Sequence, residues 1–400
     1  MEKIKILRII ARLNIGGPAI HTVLLTADLD KTRFQTLLVC GSPSGSEGDM
    51  GYYANSKSVK PYFIPELGRE INIYNDFISL LKILALIKKE KPQIIHTHTA
   101  KAGTIARAAG IIFNLFHPKH KVKLIHTFHG HVFKNYFGGF KTGFFILIER
   151  ILAYFSDKII TVSAAVRDDL INLNIANKDK IEILPLGFDL DAFLAVAPKP
   201  ARGCANIGII GRLTAIKNHR LFLEGVAKLI KQNVKGLTLN FKVIGDGELK
   251  NELEGYAQKL NIHEKIDFMG WQQDIAQVYS ELDLIILTSL NEGTPVSLIE
   301  AMASGRAVIA TDVGGVRDLL GKKNSEGLNF PDFEIMERGI LIKSGDSSGL
   351  ANAAAFLLSN PQLCATIAGR GRIFARANFT KERLVKDMEN LYSRVLICTF

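Results

Sequence analysis

Ser289-Leu290-Asn291-Glu292-Gly293-Thr294-Pro295-Val296-Ser297-Leu298-Ile299-Glu300-Ala301-Met302-Ala303-Ser304-Gly305 is the stretch on which the reading of this 400-residue chain turns. The apolar run Leu284 to Leu287 leads into it like a buried strand. Gly293 lets the backbone approach a ligand with no Cβ in the way. Thr294 suits a helix N-cap and Pro295 the first helical position. The expected local structure is a strand, a glycine turn and a helix start. Glu292 stands before the helix and Glu300 about one and a half turns into it, at ~1.5 Å rise per residue. Both carboxylates can then contact one elongated polar ligand, while the free N–H groups near Pro295 face an anion. Two glutamates around a helix start are ordinary surface charges in most chains; the complete string carries the weight.

Length points to two domains. An apolar fraction of 47% fills two cores, and 22% charged residues is ordinary for a soluble protein. Strand-like and helix-like segments alternate throughout, which predicts α/β architecture with parallel sheets. No apolar run reaches the ~20 residues that span a bilayer. Arg8 and Arg12 interrupt the leader-like start, and Ile4, Ile6, Ile9 and Ile10 read better as a first buried strand. Cys40, Cys204, Cys364 and Cys398 are scattered, so neither a zinc site nor a disulfide framework is expected, and a cytoplasmic setting is. Net charge is +11. Residues 1–195 carry 25 Lys+Arg against 17 Asp+Glu, and the segment between Asp76 and Glu149 carries 11 against one. Such a half suits phosphates, an acidic membrane surface or nucleic acid.

The first half reads as a Rossmann-like domain, residues 1–195. Strand Lys5–Ile10 leads to Gly16-Gly17-Pro18 and a helix, and further strands fall near Phe34, Val59, Ile94, Lys123 and Lys158. Ser42 to Gly51 reads as a mobile loop and Ala195 to Gly203 as a linker. A second Rossmann-like domain, 196–378, restarts at Ile207–Ile210, with strands at Asn240–Ile244, Ile266–Phe268, Leu284–Leu287 and Ala307–Thr311. Lys322 to Glu337 is polar and reads as a surface excursion. Leu384, Met388, Leu391 and Val395 recur at helical spacing in a closing segment, 379–400.

Gly211-Arg212-Leu213-Thr214-Ala215-Ile216-Lys217 follows the first strand of the second half. Parallel α/β sheets present ligands at the carboxyl ends of their strands. A guanidinium fork and a compact ammonium suit two adjacent phosphates and the charge building on a departing diphosphate. Gly16-Gly17 can meet a phosphate at a helix N-terminus, but it is not a dinucleotide fingerprint. His129 ends a strand and can orient a sugar hydroxyl; His96, His98 and His131 lie nearby in sequence. No carboxylate or cysteine is close to this group, so no metal is expected. Asp28-x-Asp30 and Asp189-x-Asp191 are too short to argue for one. The aromatic and basic run Phe133 to Phe155 suits an anionic bilayer or an ordinary core helix, and no nucleic-acid motif accompanies it.

Together these residues resemble the retaining, nucleotide-sugar-dependent glycosyltransferases of family four, over almost the whole chain. The resemblance implies the GT-B fold: two Rossmann-like domains facing each other across a cleft, with a closing helix that crosses back onto the first. It implies that Glu292 sits beside the transferring sugar and Glu300 holds the nucleotide ribose. Arg212 and Lys217 would grip the diphosphate, with Gly16 and Gly17 approaching it from the first domain. His129 would contact the donor sugar. Backbone groups of Gly293, Thr294 and Pro295 would meet sugar hydroxyls and phosphate. Asp312-Val313-Gly314-Gly315 matches the family's following segment, and Trp271 falls near the expected place of the base.

The implied function is retaining transfer from a nucleoside-diphosphate sugar to an acceptor hydroxyl, with no cofactor and no metal. Uridine and guanosine donors both fit. So do a lipid-linked precursor of surface polysaccharide, lipopolysaccharide or glycolipid and a small soluble acceptor. A nucleotide-sugar epimerase of the same architecture is the rival. Partners are the donor, the acceptor and the inner face of a cell membrane to which the enzyme can attach peripherally; nucleic acid is not among them.

Overall fold

A computed structural model describes residues 2–14, 16–42, 49–68, 70–130, 139–197, 203–234, 236–324 and 330–397. It divides into two units, residues 1–188 with 381–400, and residues 189–380. Most of the loop expected at Ser42 to Gly51, His131, and the start of the Phe133 run lie outside the described residues.

The first unit runs β1 (Ile4–Arg12), α1 (Gly17–Asp28), β2 (Phe34–Gly41), α2 (Gly51–Ser56), β3 (Tyr62–Phe63), α3 (Ile73–Glu90), β4 (Ile94–His98), α4 (Ala100–Phe116), β5 (Lys123–Phe128), α5 (Gly139–Phe155), β6 (Lys158–Thr161), α6 (Ala164–Asn172) and β7 (Ile181–Ile183). The second runs α7 (Asp191–Leu194), β8 (Cys204–Ile210), α8 (His219–Gln232), β9 (Thr238–Ile244), α9 (Lys250–Lys259), β10 (Ile266–Gly270), α10 (Ile275–Glu281), β11 (Leu284–Leu287), α11 (Val296–Ala303), β12 (Ala307–Thr311), α12 (Val316–Leu320), β13 (Phe333–Met336), β14 (Gly339–Ile342), α13 (Ser347–Ser359) and α14 (Pro361–Asn378). Helix α15 (Lys381–Ile397) returns to the first unit.

The first sheet is parallel throughout, in the order β3-β2-β1-β4-β5-β6-β7. Its central strands are apolar on both faces because helices cover both. Leu7, Ile9, Ile95 and Leu124 pack under α3 and α4, while Ile6, Ile94, Ile125 and Ile160 face α1 and α15. Leu384, Met388, Leu391, Tyr392 and Val395 form the buried stripe of α15. The second sheet has the order β10-β9-β8-β11-β12-β14-β13 and is parallel except for β13. In both sheets the strand order reverses beside the first strand, between β1 and β4 and between β8 and β11. Ligands of open α/β sheets bind at such switch points.

Three expectations need correction. The division falls after Phe188 rather than 195, and before Lys381 rather than 379. Phe193 packs edge-on against Tyr279, and Arg372 Nη1 holds the Val196 carbonyl at 2.9 Å, so the residues before the Pro/Ala/Lys-rich stretch already belong to the second unit. Lys322 to Glu337 is not wholly an excursion. Its end forms β13, antiparallel to β14, with Phe333 and Ile335 in the core. Finally, Pro295 is the N-cap of α11 and Val296 its first residue.

Candidate active site

In the second unit the site grows from the carboxyl ends of β8 and β11, on either side of the switch point. β8 ends at Ile210, and Gly211 and Arg212 follow at once; a 3-10 turn, Ala215–Lys217, then leads into α8. Glycines force this turn. At Gly245, where φ is +136°, a Cβ would lie 2.0 Å from the Gly211 carbonyl oxygen. Leu213 N–H donates to the Asp246 carbonyl at 2.9 Å and locks the two loops together. The Lys217 stem lies over Gly211, about van der Waals distance from where a Cβ would stand. Thr288 Oγ1 lies 3.0 and 2.9 Å from the carbonyl oxygens of Lys217 and Asn218 and donates its one proton between them, which ties the turn to the end of β11.

Glu292 is the meeting point. Its Oε1 accepts from Lys217 Nζ at 2.5 Å and from Ser289 Oγ at 2.6 Å. The carboxylate is nearly buried, with 10% of its side chain exposed, while Lys217 keeps 24%. The Glu292 carbonyl receives Gly315 N–H at 3.2 Å, and Thr311 Oγ1 donates to the Ser289 carbonyl at 2.7 Å. These bonds bring the Asp312-Val313-Gly314-Gly315 segment beside the Glu292 turn. Gly293 and the buried Thr294 continue that turn into α11. Among the described residues Arg212 has no side-chain partner, so its fork of donors is available. Trp271 follows β10 on the same edge of the sheet and is half exposed.

Glu300, in the second turn of α11, has lost most of its water. Desolvation pushes its carboxyl up to about 7. The Tyr279 hydroxyl lies 2.9 Å from the Ser297 carbonyl oxygen and 3.1 Å from Glu300 Oε2. With one proton to give, it cannot serve both acceptors at once.

In the first unit, Gly16 caps α1 and Gly17 opens it, after β1, and His129 follows β5. His98 Nδ1 lies 3.0 Å from His129 Nε2, and His21, one turn into α1, stands edge-on to both rings. His129 Nδ1, His98 Nε2 and both His21 nitrogens are buried without a partner among the described residues. Burial holds His129 down to about 3, and burial with the neighbouring positive groups holds His21 and His98 well below the usual imidazole range. His96 links the β4 end to α15: Nδ1 is 2.7 Å from the Tyr392 hydroxyl and Nε2 2.7 Å from Thr127 Oγ1. Arg8 Nη2 donates to the same Tyr392 oxygen at 2.8 Å.

His21, His98 and His129 are the described residues whose ring nitrogens, within 4.8 Å of one another, could hold a metal ion. No carboxylate among the described residues joins them, and the nearby Arg8 charge already disfavours a positive His21. Kept neutral, these imidazoles can hydrogen-bond sugar hydroxyls or ligate a cation.

The structure therefore gathers Arg212, Lys217, Glu292, Gly293, Thr294, Pro295 and Glu300 on one edge of the second sheet, and Gly16, Gly17 and His129 on the corresponding edge of the first. Ser289, Tyr279 and His21 escaped sequence reasoning. Ser289 sits three residues before Glu292, which was the available signal; Tyr279 and His21 carried none.

Comparison with known proteins agrees with this geometry. Residues 15–192 match the family model described as Glycosyltransferase Family 4, and residues 204–360 match Glycosyl transferases group 1. The chain belongs to these glycosyltransferases. It is 28% identical over 297 residues to the UDP-Gal:alpha-D-GlcNAc-diphosphoundecaprenol alpha-1,3-galactosyltransferase of Escherichia coli, covering 72% of this chain and 74% of that one. It is 25% identical over 360 residues to the capsular polysaccharide biosynthesis glycosyltransferase CapM of Staphylococcus aureus, covering 86% and 89%. Among solved structures, Anabaena HepE in complex with UDP superposes with a TM-score of 0.75 at 18% identity, over 98% of this chain and all of that one, which shows the GT-B fold class.

Proposed function

We propose that this glycosyltransferase moves a hexose from a UDP-sugar to a hydroxyl of a lipid-linked saccharide, with retention at the anomeric carbon and without a metal ion. The observation that carries the proposal is the Arg212, Lys217 and Glu292 constellation at the β8/β11 switch point. Two cations there match the two phosphates of a nucleoside diphosphate. The E. coli relative's UDP-galactose donor and diphosphoundecaprenol-linked acceptor, and the UDP held by HepE, favour uridine over guanosine and a lipid-linked over a soluble acceptor.

In the ligand-free geometry Lys217 is neutralised by Glu292. An arriving diphosphate competes for that ammonium and leaves Glu292 facing the sugar. Glu300 accepts from ribose hydroxyls, and neutral His129 orients the hexose. Ser289 Oγ, still bonded to Glu292 Oε1, fixes that carboxylate as an electrostatic stabiliser rather than an attacking group. The acceptor oxygen therefore attacks from the face the diphosphate leaves. The C1–O bond to phosphate breaks, the C1–O bond to the acceptor forms, and the acceptor proton passes to the departing phosphate oxygen. Arg212 and Lys217 stabilise the charge on that leaving group, the role a metal plays elsewhere.

The test combines thermal stabilisation by a panel of nucleoside diphosphates with transfer to an undecaprenyl-diphosphate sugar, reading the anomeric configuration of the product by NMR. UDP should stabilise more than GDP, and the product should keep the donor's configuration. Lys217→Ala and Glu292→Ala should each cost about 10²–10³ in kcat/KM while the melting temperature holds. Wild-type rates in both variants would refute the assignment.

A further inference from the structure

Helices α3, α4 and α5 pack side by side over one face of the first sheet, opposite α1 and α15. An ordinary covering helix is apolar inside and polar outside. Here α3 buries Ile83, Leu86 and Ile87 yet also exposes Ile73, Tyr74, Phe77 and Leu81, the first at 86%. Helix α5 buries Leu152 and Ala153 and exposes Phe144, Leu147, Ile151 and Tyr154, a stripe at helical spacing. Leu115 and Phe116, 70% and 77% exposed, end α4 between them. Ten large apolar side chains on three adjacent helices exceed the scattered exposure normal on a soluble surface.

The rim of this face is cationic. Lys88 and Lys91 close α3, and Lys119 and Lys121 follow α4; all four are exposed, and none has a carboxylate partner among the described residues. A second copy of the chain would set these lysines against their own kind. An anionic bilayer satisfies both the apolar stripes and the charge. No described helix is long and apolar enough to cross a membrane, so the contact is one of lying on the surface.

We propose that the α3–α4–α5 face seats the first unit on an anionic lipid leaflet and so brings the site to its lipid-linked acceptor. Aromatic and aliphatic side chains enter the headgroup region while the lysines meet lipid phosphates. The acceptor half of this statement rests on the function proposed above; the seating does not.

Flotation with mixed phosphatidylcholine–phosphatidylglycerol vesicles, against phosphatidylcholine alone, tests it. The protein should float with the anionic vesicles only. The combined variant Tyr74→Ser, Phe77→Ser, Phe144→Ser, Leu147→Ser should float about tenfold less. Lys88→Glu with Lys119→Glu and Lys121→Glu should lose the preference for phosphatidylglycerol. All these positions are exposed, and both variants should keep the wild-type melting temperature and UDP binding. Turnover of a vesicle-embedded acceptor should fall in both, while that of a water-soluble acceptor analogue stays. A wild-type protein that does not float, or variants that float as well as it does, would overturn the seating. So would sedimentation showing a dimer that the aromatic variant disperses, since the face would then be an interface between copies. Absence of any sugar transfer alongside normal flotation would instead refute the function and leave the seating standing.

Discussion

Glu300 gives up water for a place beside Tyr279, and its titration moves into the neutral range as a result. The sign of the effect on stability is fixed by that direction. Desolvation raises the folded-state carboxyl from an ordinary 4.5 to about 7, so folding favours the protonated form. Its contribution is fully present below the ordinary value and is lost as pH rises through about 7. The melting temperature of the ligand-free protein should therefore fall between pH 5 and 8 by more than that of Glu300→Gln, at an expected difference of about 1–3 kcal/mol. Differential scanning fluorimetry across that range checks it. Equal slopes in the two proteins would show that Glu300 is not the titrating group. At this scale the sequence was most informative where charged side chains stand close to a glycine just past a strand end. Arg212, Lys217 and Glu292 were legible for that reason. Tyr279 and His21 were not, because each gains its role from partners tens of residues away that only folding supplies.

Among elements, the strand–turn–helix segments that hold the site were readable, and their edges were not. The β11 run and the helix after it stand where the apolar pattern put them, but Pro295 moved from first helical residue to cap. Its φ of −70° is ordinary for proline, and its ψ of 119° is still extended, so the helix begins one residue later. Strand β13 was hidden because residues with charged neighbours can still alternate: Phe333 and Ile335 turn inward while Glu334 pairs outward with Arg317. The loop after β9 is the most constrained element of the site. Gly245→Ala would place a methyl against the Gly211 carbonyl in a backbone conformation that disfavours side chains. A loss of about 2–4 kcal/mol is expected in urea unfolding, together with weaker UDP binding, because Gly211 carries Arg212. Unchanged binding would mean that this loop does not set the cation's position.

On the scale of the whole chain, alternation of strands and helices announced two parallel α/β units, and the stripe on the last helix announced that it buries a face. The point where one unit gives way to the next was missed. Composition marks a flexible stretch, whereas the boundary is set by which side Phe193 and Val196 pack on. Helix α15 is integral to the first unit: Arg8, 0% exposed and without a carboxylate partner among the described residues, relies on Tyr392 and Thr26 for its hydrogen bonds. Tyr392→Phe should remove about 1–3 kcal/mol from the unfolding of the first unit and nothing from that of the second. Two resolved calorimetric transitions, only the one assigned to the first unit shifting, would bear this out; an equal shift in both would contradict it.

That dependence has a consequence for biosynthesis. A ribosome making this polypeptide releases the opening 188 residues long before α15 exists. The apolar trough around Ile6, Leu25, Phe34 and Ile160 must wait uncovered while the intervening unit is translated and folds. Maturation of the enzyme is thus timed by α15, and a nascent chain stalled short of that helix is a natural client for chaperones.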